Sequence, residues 1–121
     1  MSYWMFFWTA NHFLRLLKNL FSKVETAEIT GYVCTTTITI LHYLTRKVVG
    51  DDSALEEINK LMMLFEIAPV NRAVLDAALK SGFKDFEDAV VNESGVYKEI
   101  QGIVTRDSAG FMKSKINIHS P

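Results

Sequence analysis

Short apolar runs recur along this 121-residue chain, each followed or preceded by a stretch of helical periodicity, and that alternation restricts it to few folds. Tyr32 to Cys34, Phe65 to Pro69, Gly102 to Thr105 and Ile116 to Ile118 read as buried strands. Between the first two, Ile38, Leu41, Leu44 and Val48 lie on one helical face, with Thr35 to Thr37 offering N-caps and Gly50 a stop. Ser53 with Glu56 forms a capping box for a second helix through Leu55, Ile58, Leu61, Met62 and Phe65. Asn71 caps a third, carrying Val74, Leu75, Ala78 and Leu79 and ended by Gly82. A fourth starts near Asp85 and is weakened at Gly95, and Phe13 to Val24 form an amphipathic helix ahead of them all. Strands joined by crossovers of a dozen or more residues pair in parallel, and a parallel sheet must be covered on both faces. The expected fold is therefore one α/β domain over residues 1–121, a three-layer α/β/α sandwich with a mainly parallel sheet.

The charge balance narrows the partners. Thirteen basic and fourteen acidic residues leave a net charge of -1, so nucleic acid must be held by a local basic patch, not by a global field. The single cysteine, Cys34, cannot close an internal disulfide and reads as a small buried hydrophobe, which fits a reducing cytoplasm. His12, His42 and His119 show no metal-ligand spacing. Met62, Met63 and Phe65 on the second helix read as core, with a dimer surface as the alternative.

In open parallel sheets, chemistry gathers at the carboxyl ends of the strands. Asp107 follows "GIVT" directly, and Asp85 and Asp88 stand three apart at a helix start, on one face. Three converging carboxylates would suit a hard divalent cation, Mg²⁺ or Mn²⁺, able to activate water against a phosphodiester. The same residues also suit a purely structural role: Asp85 as N-cap, Asp88 complementing the helix dipole, and Asp107 capping the turn before Gly110. Arg46, Lys47, Lys84 and Arg106 are candidates for a phosphate-binding rim.

"FEIAPVNRAVLDAALKSGFKDFEDAV" and "GIVTRDSAGFMKSKINIHSP" together resemble the second half of a PIN domain, the metal-dependent nuclease fold of VapC-type toxins. "EITGYVCTTTITILHYLTRK" matches the family's earlier strand and helix, so the resemblance runs from about residue 18 to 121. It implies a ribonuclease dependent on Mg²⁺ or Mn²⁺, with Asp88 and Asp107 as catalytic metal ligands and Asp85 as a third candidate. It also implies single-stranded or structured RNA as substrate, a cognate antitoxin protein, a homodimer and no membrane association. Two features depart from the family. The helix after the "YVC" strand offers only Thr39, Ile40 and His42 where an acidic or amide residue is common, and the first-strand Asp-Thr-Asn that supplies the central ligand is missing.

In its place the chain opens "MSYWMFFWTANHF", seven rings in thirteen residues, His12 included. The run has neither the basic start and cleavage site of a signal peptide nor the ~20 apolar residues of a membrane span. Back-translated and read two bases later, "MSYWMFFW" forces the string L-D-V-(F/L)-L-D. Extended with allowed codons, that frame gives V-I-L-D-V-F-L-D-R-E-P-F-F-E-A-S and joins "KNLFSKVET" at Lys18, as a PIN domain continues after Asp-Thr-Asn. The expectation is that residues 1–17 are an out-of-frame or truncated version of the family's opening, leaving a catalytically impaired chain. The competing reading is a native first strand in which Tyr3, Met5 and Phe7 are buried. Either way "YWMFF" can serve as the central strand, its aromatics overpacking the layer at a cost of about 1–3 kcal/mol.

Overall fold

Residues 2–6 of the aromatic run lie at the middle of the sheet. The computed structural model describes residues 2–7, 29–105 and 109–119, and within them β1 (Ser2–Phe6), β2 (Ile29–Cys34), β3 (Glu66–Ala68), β4 (Gly102–Val104) and β5 (Asn117–His119) form a sheet in the order β3-β2-β1-β4-β5. Every pairing is parallel, as the crossovers require. The helices are α1 (Thr35–Val49), α2 (Asp51–Leu64), α3 (Arg72–Lys80) and α4 (Phe86–Tyr97), with a 3-10 turn at Ala109–Phe111. The helix expected from Phe13 to Val24 lies outside the described residues.

Strand alternation feeds two cores. Met5 and Phe7 point with Cys34, Ala68 and Ile103 into the layer built by Val74 and Ala78 of α3 and Ala89 to Val91 of α4. Phe6 and Val33 point the other way, onto Leu41 of α1, Leu61 of α2 and Phe65. Both faces are therefore covered and the molecule is the expected three-layer sandwich. Burying each large apolar side chain in these layers contributes roughly 1.5–3 kcal/mol.

Two glycines allow close approaches, one of them beneath a ring. A Cβ at Gly102 would overlap the Trp4 ring, so the absent side chain on β4 makes room for the bulk on β1. The remaining rings meet edge to face: Phe6 with Phe65 at 5.5 Å, Phe7 with Phe111 at 5.7 Å and Tyr3 with Tyr32 at 6.0 Å. On α4, which runs unbroken through Gly95, a Cβ at that glycine would come within 2.5 Å of Ile100 Cδ1. The glycine expected to weaken this helix is what allows the chain to fold back against it.

Local signals were mostly realised, with three corrections. Asn71 does cap α3, accepting from Val74 N at 3.0 Å. The threonines after β2 do not cap α1, whose N-cap is Cys34 without a side-chain bond; Thr35 Oγ1 donates instead to the Ala68 carbonyl at 3.0 Å, tying the helix start to β3. The Ser53 and Glu56 box does not form, because α2 begins at Asp51, directly after Gly50, whose φ of 86° both stops α1 and starts α2. Asp51 and Asp52 then supply the negative charge that the helix N-terminus favours. Finally, Met62 and Met63 are exposed, at 47% and 79%, and are not core. The stripe facing the sheet is Ala54, Ile58, Leu61 and Phe65; at 100° per residue, Met62 and Met63 are carried round to solvent.

Candidate metal centre

Helix α4 brings two of the expected carboxylates to one place. Asp85, in extended conformation, is the N-cap, and its Oδ1 accepts from Asp88 N at 3.0 Å. The capping role read from the sequence is thus realised for Asp85. Asp88, at the third helical position, is buried, at 8% exposure, where few carboxylates of globular proteins lie. Both line a cavity of about 570 Å³ with Phe83, Lys84, Met112 and Lys113, and Gly110 of the 3-10 turn closes its wall. The chain leaves β4 at Val104, buries Thr105, and re-enters the described structure at Ala109. Arg106 and Asp107 fall in the interval, outside the described residues.

The other basic candidates separate. Lys84 lines the cavity with Asp88, but Arg46 and Lys47 do not. They occupy the last turn of α1, roughly 16 Å along the helix from Thr35 at the carboxyl end of β2. There Arg46 Nε lies 3.7 Å from Asp51 Oδ1 and Lys47 Nζ sits 4.2 Å from the Tyr43 ring centre. His42 is half-buried on the same helix.

Three features escaped the sequence reading. Asn92, one turn beyond Asp88 and 3% exposed, accepts a bond from Ser114 Oγ, which in turn accepts from Ile116 N at 3.0 Å. This ties the segment carrying Met112 and Lys113 to α4. Lys113 therefore reaches the cavity although 25 residues or more separate it from Asp88 and its neighbours in the chain. The third is Glu87, which opens on a second cavity of about 360 Å³ with Thr36, Thr39 and Ile40 of α1. A carboxylate from α4 thus meets the surface where α1 carries none.

Burial, and secondarily the charge of Asp85, pushes the Glu87 carboxyl above its ordinary value. The fold therefore binds this proton more tightly than the unfolded chain does. Stability from the neutral form is fully present below the ordinary glutamate value and is lost as pH rises through the raised one. Glu87→Gln should accordingly give a small rise in Tm at pH 7 that disappears near pH 3.5, read from paired thermal melts.

Asp85 and Asp88 offer hard carboxylate oxygens of the kind Mg²⁺ and Mn²⁺ prefer. Among the described residues, however, no three His, Cys, Asp or Glu side chains stand close enough to hold a metal. β1 contributes no carboxylate; it ends at Phe6 and is followed by buried Phe7. The described donors thus fit a metal only in part: two carboxylates line the cavity, fewer than the ligands such an ion takes.

A family model for the PIN domain matches residues 3–109. The chain belongs to the PIN domain family. This PIN domain also resembles solved structures throughout its length. VapBC2 from Rickettsia felis bound to a promoter DNA fragment matches with a TM-score of 0.74 at 10% identity, covering 99% of each chain. VapBC-1 from nontypeable Haemophilus influenzae gives 0.73 at 11% identity, over 99% of this chain and 98% of the other. DNA-bound VapBC from Salmonella typhimurium gives 0.73 at 12% identity with the same coverage. At such identities the likeness shows the fold. No curated protein matches by sequence. The sheet order is thus that of a PIN domain, and its central strand, Ser2–Phe6, carries no carboxylate. Among the described residues, no helix is long and apolar enough to cross a membrane.

Proposed function

We propose that this PIN domain is an endoribonuclease of toxin-antitoxin type, dependent on Mg²⁺ or Mn²⁺ and impaired as the chain is written. The observation that carries the reading is Asp88, a buried carboxylate facing a cavity walled by the segment that follows β4. In this reading Asp88 and Asp107 hold the cation, with Asp85 in support through its oxygen not used in capping. A cation there supplies charge neutralisation at a phosphodiester and lowers the pKa of water. Lys84 and Arg106 bind the phosphates of a single-stranded or structured RNA, and the hydrogen bond from Ser114 to Asn92 fixes the opposite wall. Impairment follows from β1, whose carboxyl end presents Phe7 and no carboxylate, whereas the resemblance has the family's first strand end in Asp-Thr-Asn. The VapBC complexes that share the fold support a cognate antitoxin as partner, and a homodimer and a cytoplasmic setting belong to the same reading.

One observation favours a second reading. Asp85 does cap α4, as it would in a non-catalytic α/β protein-binding module. The two separate on metal. A cation that binds only the folded state stabilises it by about 1.4 kcal/mol at ten times Kd, a Tm increase of several degrees for a domain of this size. The proposed site predicts such a rise with millimolar Mn²⁺, and its loss in Asp88→Asn. Flat melts for both proteins would leave capping as the role of these residues.

A further inference from the structure

We propose that the cavity beside Asp88 is a nucleotide subsite, taking one nucleotide of single-stranded RNA with its phosphate between Lys84 and Lys113 and its base against Phe83 and Met112. The proposal rests on the ribonuclease reading above and says where that site grips its substrate.

The cavity, at about 570 Å³, lies within the ~300–1,000 Å³ typical of small-molecule sites. Its chemistry is divided. The two carboxylates belong to the first turn of α4, while the lysines arrive from two separate segments, the loop before α4 and the stretch after the 3-10 turn. Lys113 folds across toward the first of these: a Cβ at Gly82 would lie 3.4 Å from its Nζ, and the φ of 76° there favours a glycine. Neither lysine takes part in the ion pairs found among the described residues. Two ammonium groups and two carboxylates line the one cavity, so a phosphate can accept from both lysines while the carboxylates are left to a cation.

The rest of the wall is apolar. Met112 is 83% exposed, yet its neighbours are fixed, Phe111 by burial in the core and Ser114 by its bond to Asn92. A thioether held out in this way on a fixed backbone is an adaptable surface for a flat ring. Phe83 is half-buried, stacked edge to face on Phe111 at 6.1 Å, and its remaining surface forms part of the lining. A lone inorganic anion would leave this wall unused, and a cation held at Asp88 would use neither the lysines nor the apolar wall. A nucleotide uses the anion-binding and the apolar halves together, and stacking tolerates any base.

The test is fluorescence polarisation with labelled oligouridylate and oligoadenylate, the full chain, EDTA to prevent cleavage, and a salt series. Lys84→Ala/Lys113→Ala should weaken binding about tenfold or more and reduce the slope of log affinity against log salt by about 1. Met112→Ser should weaken binding roughly fivefold with the slope unchanged, because it removes stacking and no charge. Arg46→Ala/Lys47→Ala, away from the cavity, should change the affinity least. All these side chains are exposed, and thermal melts confirm that the variants fold. Parental protein that binds RNA while the Lys84/Lys113 and Met112 variants bind as tightly, with the same slope, overturns the subsite and leaves the ribonuclease reading standing. Parental protein that binds neither oligomer at low salt overturns both.

Discussion

Replacing residues 1–17 with M-x-x-L-F-D-T-N-V-I-L-D-V-F-L-D-R-E-P-F-F-E-A-S ahead of Lys18 should convert a weak or inactive protein into a metal-dependent ribonuclease. The strand at stake is the central one, paired on both sides by β2 and β4, so its carboxyl end is the point toward which the neighbouring loops converge. At that end this chain has Phe7, packed edge to face on Phe111, and a ring carries no charge for a cation. Metal affinity follows ligand number and charge, and even changes behind the ligands cost 10–100-fold, so restoring the central Asp should raise activity roughly hundredfold or more. Smaller aliphatics in β1 should also relieve the aromatic packing and raise Tm. The comparison needs both proteins purified alike, a labelled single-stranded RNA and an EDTA control. Equal metal-dependent activity in the two would mean that the aromatic run does not replace a lost active-site strand, and the out-of-frame reading of residues 1–17 would be abandoned. Sequencing the gene for one extra base near codon 17 checks the same idea from the other side.

The second large effect concerns how the rings are housed. Gly102→Ala should destabilise the protein by about 1–3 kcal/mol, because the new methyl overlaps the Trp4 ring and a parallel central pair has little freedom to separate. Trp4→Leu loses burial but clears the space, so Trp4→Leu/Gly102→Ala should cost less than the sum of the single changes. Denaturant melts of the four proteins give that coupling directly. Additive losses would show that Trp4 does not lie over Gly102 and that the register of β1 against β4 is wrong.

What was legible in the sequence was local. The cap at Asn71 and the stop at Gly50 involve neighbours a few residues away, and they appeared where expected. The parallel sheet followed from crossover lengths, which one sequence displays in full. Position round a helix was less legible, because α2 starts at Asp51 and not at the better cap, Ser53, and because apolar Met62 and Met63 lie beside the buried stripe without belonging to it. In the site, Asp85 and Asp88 were visible as a pair on one helix. Lys113 was not, since it reaches the cavity only through the Ser114 to Asn92 bond and the burial of Phe111, contacts between segments distant in sequence. Glu87 was missed for a related reason: its pKa depends on the cavity against α1, which no spacing within α4 reveals.

The strand made first is also the one that must wait longest. Trp4 pairs with Gly102, and Tyr3 N donates to Gln101 Oε1 across 98 positions of chain. At synthesis rates of 5–20 residues per second, the opening rings therefore stay without their β4 partner for roughly 5–20 s after they are made. Through that interval Trp4, Met5, Phe6 and Phe7 are an apolar ribbon with one prospective edge at most, β2, and the sheet cannot close around it until β4 has been made. Yield from the cell should therefore depend on what shelters this ribbon during synthesis as well as on the stability of the finished fold, and slower translation should lengthen its exposure and lower the soluble fraction.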